Sequence, residues 1–73
     1  MEKIYYKRLL NKEEFLKLIE DLEIALEGTT HTHYFTFEDR NYVEIYKADG
    51  THNFEIEYVM EDNIYIIIDV YKN

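Results

Sequence analysis

The chain has no cysteine and no proline, and only two glycines among its 73 residues. Without cysteine, neither a disulfide nor a thiolate metal site can supplement the core, as in a reducing compartment. The lack of proline and the scarcity of glycine leave no linker-like stretch. Aromatic residues at 16% are too many for a disordered acidic tail. No signal-peptide pattern is visible, and no apolar run approaches the ~20 residues that span a bilayer. The expectation is one compact domain over residues 1–73, in the cytoplasm. Catalytic signatures are missing as well: there is no Ser/His/Asp pattern, phosphate loop or dinucleotide fingerprint. So small a fold has little room for a concave pocket that would tune carboxylates for acid–base work. The chain therefore reads as a non-enzymatic protein with no cofactor.

What the chain has in excess is negative charge, a net −8. Residues 1–11 are basic, with Lys3, Lys7 and Arg8 against Glu2 alone, whereas the segments 12–28 and 29–73 are both strongly acidic. Such a charge repels nucleic acid and anionic membranes and steers basic partners inward. It also keeps a small domain soluble, which by itself accounts for acidity in many proteins.

One helix is plainly marked, over residues 12–27. Phe15, Leu18, Ile19, Leu22, Ala25 and Leu26 form a single apolar stripe. Asn11 and Glu14 have the spacing of a capping box, Leu10 can staple onto Phe15, and Gly28 supplies a left-handed stop. Ile24 falls on the opposite, charged side of the wheel.

Strands are expected at Lys3–Arg8 and then at about 31–38, 42–48, 51–60 and 64–71. Asp49-Gly50 is a hairpin turn that sets Val43 against Ile56 and Ile45 against Phe54. Three-residue loops ending in asparagine, Asp39-Arg40-Asn41 and Glu61-Asp62-Asn63, pair apolar with apolar at the other two hairpins. They set Phe37 against Val43, Ile56 against Ile68 and Tyr58 against Ile66. The resulting fold is α+β: one helix on a mostly antiparallel sheet of four to five strands, order β-α-β-β-β-β, in a two-layer sandwich. The buried face would carry Phe35, Phe37, Val43, Ile45, Phe54, Ile56, Tyr58, Met60, Ile64, Ile66, Ile68 and Val70. The N-terminal strand joins one edge, which the pattern leaves open.

These registers put Tyr42, Glu44, Tyr46, Glu55, Glu57, Tyr65, Asp69 and Tyr71 on the outer face as a candidate partner-binding surface. Glu44 would oppose Glu55, and Glu55 would oppose Asp69. Like charges opposed across strands destabilise a sheet, so folding gains nothing from the row. Tyrosines supply rigid contact area and carboxylates meet Lys and Arg, which suits a basic protein surface. A solvated face with tyrosine chosen for β propensity is the plainer alternative. His31 and His33 share a face, with His33 expected beside Lys47 and His52 on the far side of that lysine. A lysine among the candidate ligands opposes a metal, so no metal site is expected.

In size, charge and Lys/Ile/Tyr/Asn-rich composition the chain resembles small phage-encoded inhibitors of nucleic-acid enzymes, such as anti-CRISPR proteins. The resemblance lies in gross properties and in no motif. It implies an acidic nucleic-acid mimic in a host cytoplasm that blocks the basic groove of a nucleic-acid-binding enzyme, with no direct contact to nucleic acid or membrane. Charge reversal at Glu55 and Glu57 is then expected to weaken binding by several kcal/mol and to leave the fold intact or slightly steadier. The second reading is an antitoxin-like or self-associating module, a homodimer through an edge strand. The third is a His-based metal-binding protein.

Overall fold

The computed structural model describes residues 8–73 and the backbone of residues 2 and 3. Its elements in chain order are β1 (Glu2–Lys3), β2 (Leu9–Leu10), α1 (Lys12–Leu26), β3 (Thr30–Phe37), β4 (Arg40–Lys47), β5 (Asn53–Glu61) and β6 (Ile64–Lys72). All strand pairs are antiparallel, in the order β1-β6-β5-β4-β3, and β2 pairs with the other end of the same edge of β6 that β1 occupies. The fold is α+β, with α1 packed on one face of an open sheet five strands wide. The middle of the expected strand Lys3–Arg8, residues 4–7, lies outside the described residues.

Local chemistry sets the helix. Asn11 Oδ1 accepts from the Glu14 amide at 2.8 Å, and Glu14 Oε1 accepts from the Asn11 amide at 3.0 Å, completing the capping box. At the other end Glu27 and Gly28 both take positive φ, 56° and 87°. Phe15, Ile19, Leu22 and Leu26 are buried with Leu10, and Leu18 packs at the rim, as the stripe requires. Ala25 is exposed, and Ile24 projects from the far side.

The β4–β5 register is the expected one. Val43 faces Ile56, Ile45 faces Phe54 and Glu44 faces Glu55. The turn itself is longer than two residues. Lys47 and His52 are its last bonded pair, Gly50 donates back to the Lys47 carbonyl at 2.9 Å, and Asp49 Oδ1 accepts from the Thr51 amide.

The two other hairpins differ from expectation. Glu38-Asp39 and Asp62-Asn63 form two-residue turns in which all four residues have positive φ, between 47° and 64°. That is the type I′ conformation, whose twist matches that of the flanking strands. At β3–β4 it pairs Tyr34 with Val43, Phe35 with Tyr42 and Phe37 with Arg40, so β3 is turned over relative to the expected register. Phe35 and Phe37 therefore leave the core, and Phe37 is 62% exposed. At β5–β6 the short turn alone would put Ile56 against Asp69. A bulge prevents this: Tyr58 pairs with Ile67 and Glu57 with Asp69, leaving Ile68 as the extra residue and Ile56 against Val70.

Below the bulge Tyr65 and Ile67 turn toward α1, while Ile66 pairs with Val59 on the outer side. Ile66 and Ile68 are only half-buried, and Met60 and Ile64 are exposed beside the turn, so none of these four joins the buried core. The observed core is Leu10 and the helix stripe against Val43, Ile45, Phe54, Ile56, Tyr58, Ile67 and Val70. Phe15 sits at its centre, stacked on Tyr65 with ring centroids 4.1 Å apart and tilted against Tyr58 at 4.8 Å.

Candidate functional site

The outer sheet face is built in cross-strand rows. One row runs Phe35, Tyr42, Glu57, Asp69, and the next runs His33, Glu44, Glu55, Tyr71. A third runs His31, Tyr46, Asn53, with Asn53 and Asn73 exchanging backbone hydrogen bonds beyond it. The register thus brings together Tyr42, Glu44, Tyr46, Glu55, Glu57, Asp69 and Tyr71. Tyr65 is not among them. It belongs to the helix side, where the bulge points its ring at Phe15. The expected pairing of Glu55 with Asp69 is also replaced: Glu55 faces Tyr71, and Asp69 faces Glu57.

The acids of this face are not equivalent. Glu57 is only 7% exposed, and its carboxylate is held by the Arg40 guanidinium in an ion pair. The bond to Glu57, and then its charge, push the Arg40 pKa further up. Arg40 escaped sequence reasoning because it was assigned to a turn; the two-residue Glu38-Asp39 turn makes it the first residue of β4. Tyr71 donates to Asp69 Oδ2 at 2.8 Å, and this bond, then burial, push the phenol up to about 12. Tyr42 is raised by burial first and the Glu57 carboxylate second.

Glu44 and Glu55 stand directly opposed with no ion pair to either among the described residues. Partial burial, then the charges of Glu44 and Glu57, raise the Glu55 pKa above 4.5. Asn53 Nδ2 donates to Glu44 Oε2 at a long 3.5 Å, while Asn53 Oδ1 is buried without a partner among the described residues.

Turning β3 over brings rings that were expected elsewhere to the acid row. Phe35 stacks on Tyr42 at 5.1 Å and 12°, His33 stacks on Phe35 at 5.4 Å, and His31 tilts on Tyr46 at 5.7 Å. His33 pairs with Glu44, and it is Thr30 that pairs with Lys47, so the expected His33–Lys47 neighbourhood is corrected. Lys47 does stand across from His52, whose carbonyl accepts its amide at 3.0 Å. No group of three or more His, Cys, Asp or Glu among the described residues could hold a metal ion. Among the same residues no helix is long and apolar enough to cross a membrane.

The signal that would have found His33, Phe35 and Arg40 is the Glu38-Asp39 pair read as a type I′ turn. Neither residue is glycine, which is why the signal is faint. Chemically, the face combines carboxylates with stacked rings. Both favour a guanidinium or an ammonium, by charge-assisted hydrogen bonds and by contact with a π-face.

The chain matches no protein-family model, no curated protein and no solved structure. Its function must be argued from its side chains.

Proposed function

We propose that this chain is a non-enzymatic module that binds a basic protein surface through the outer face of its sheet. The observation that carries the reading is the opposed pair Glu44–Glu55, which has no ion pair among the described residues. Two carboxylates in that arrangement cost stability, and a bound Arg or Lys relieves the cost. Tyr42, Tyr46, Tyr71 and Phe35 surround the pair and supply contact area.

In its finer form the partner is an enzyme whose basic groove holds nucleic acid, and the module inhibits it in the manner of small phage-encoded inhibitors. Glu44 and Glu55 then take the places of phosphates, beside Asp69, which accepts from Tyr71. Glu57 does not, because its charge is already spent on Arg40. The net charge of −8 adds long-range attraction to such a groove.

The test is capture from nuclease-treated lysate by the wild-type chain and by a Glu44→Lys/Glu55→Lys variant, at two salt concentrations. Glu57 is left intact, since reversing a buried, paired carboxylate would disturb the fold. A partner held by the wild type, lost by the variant, weakened by salt and displaced by DNA is the expected result. A partner held equally by both proteins would move the interface away from this face.

A further inference from the structure

Among the described residues β3 is the free edge of the sheet, while β1 and β2 lie against β6 at the opposite edge. In an antiparallel ladder alternate residues turn N–H and C=O away from the partner strand. Along its eight residues β3 therefore presents a row of backbone groups ready for another strand. The usual devices that blunt such an edge are missing from it. Thr30-His31-Thr32-His33-Tyr34-Phe35-Thr36-Phe37 contains no lysine, acid, proline or glycine, and its register with β4 is unbroken.

Charge selects the occupant. In a chain of net −8, residues 28–37 carry no formal charge and form its longest uncharged run. Two copies meeting face to face would bring Glu44 and Glu55 against their equivalents, whereas two copies paired along β3 oppose no acid with acid on the paired strands.

The strand is also self-complementary. A two-fold axis normal to a sheet keeps every side chain on its own face, so only residues on the same face can oppose each other. Centred on Tyr34, the pairing sets His33 against Phe35 and His31 against Phe37 on the outer face. On the helix face it sets Thr32 against Thr36 and Tyr34 against itself. Ring meets ring and threonine meets threonine, which are favourable cross-strand pairs. This register covers Tyr34 and Phe37, which are 54% and 62% exposed. Centring on His33 would leave Phe37 without a ring opposite.

We propose that β3 pairs antiparallel with β3 of a second copy, with Tyr34 on the two-fold axis, to give one continuous sheet. Both helices then lie on one side and both outer faces join on the other. The proposal is independent of the partner argued above.

Sedimentation of the full chain over a range of concentrations tests it. The wild type is expected to reach twice the monomer mass, and to do so at lower concentration as salt screens the repulsion between copies. That salt response is opposite to the one expected of the acidic face. Tyr34→Lys, which opposes two lysines on the axis, is expected to be monomeric with an unchanged circular dichroism spectrum. Because the chain has no cysteine, Tyr34→Cys supplies an assay that does not depend on that variant. On oxidation it should form a covalent dimer, whereas His33→Cys should not, its Cα atoms being too far apart in this register.

A wild type that stays monomeric throughout overturns the proposal and leaves the edge to a strand from another protein. A Tyr34→Lys variant that still dimerises, or cross-linking of His33→Cys as efficient as that of Tyr34→Cys, overturns it as well. The Glu44→Lys/Glu55→Lys variant should remain dimeric, which separates failure of this interface from failure of the acidic one.

Discussion

Glu55 and Glu57 are neighbours on one face with opposite relations to the fold. Glu57 is buried but neutralised by Arg40, so its charge is part of the structure. Glu55 has Glu44 across from it, and its pKa is raised by burial first and by neighbouring carboxylates second. A raised carboxyl pKa means that the fold favours the protonated form. The stabilising contribution is complete below 4.5 and is lost as pH rises through the folded value. At neutral pH the carboxylate is a net cost. Glu55→Gln should therefore stabilise the domain at pH 7 by about 0.5 kcal/mol, a rise in Tm of about 2–4 °C. Thermal melts should show that gain shrinking as the pH is lowered through the folded value and vanishing below 4.5. An equal gain at both ends of the range would mean that charge is not its cause. The candidate site was legible at this scale because Glu44, Glu55, Glu57, Asp69, Tyr42, Tyr46 and Tyr71 do share a face. Tyr65 was misplaced for a reason that belongs to the strand.

At the scale of elements, the turns decide which side each strand shows. On β6 the short Asp62-Asn63 turn shifts the register by one residue from the expected loop, and the Ile68 bulge shifts it by one more in the same sense. Beyond the bulge the two shifts restore the expected parity, so Asp69, Val70 and Tyr71 lie where alternation puts them. Before the bulge only one shift applies, and Tyr65 and Ile67 are inverted. On β3 no bulge compensates, and the whole strand turns over. Both type I′ turns place side-chain-bearing residues at positive φ, where most L-residues are strained. Glu38→Asn/Asp39→Gly installs the pair that such a turn favours and should raise stability by about 1 kcal/mol. Denaturant unfolding would measure it. A loss of stability would show that the Glu38-Asp39 turn is not of this type. The helix was legible throughout because its stripe and its capping box are local, confined to neighbours in the chain.

At the scale of the whole molecule, the described residues rest on one small core. Phe15 joins α1 to β5 and β6 through Tyr58 and Tyr65 and is 2% exposed. Phe15→Ala should cost about 3–5 kcal/mol, comparable to the ~3–5 kcal/mol that a core of this size supplies. The variant should be largely unfolded at room temperature, seen as loss of near-ultraviolet circular dichroism. Ile24→Ala, on the exposed side of the same helix, should stay within about 0.5 kcal/mol of wild type. A folded Phe15→Ala protein would mean that the core does not depend on this ring stack.

What the sequence by itself determined is what nearest neighbours decide: the helix and its caps, the four strands that follow it, the β4–β5 register and the excess of acid. Periodicity and turn residues carry that information over a few positions. The tertiary structure alone decided the side shown by β3, the bulge at Ile68, the pairing of Arg40 with Glu57 and the edge at which β1 and β2 dock. Each depends on a choice between registers one residue apart. Local propensity separates such registers weakly, whereas burial of one complete face against α1 separates them strongly.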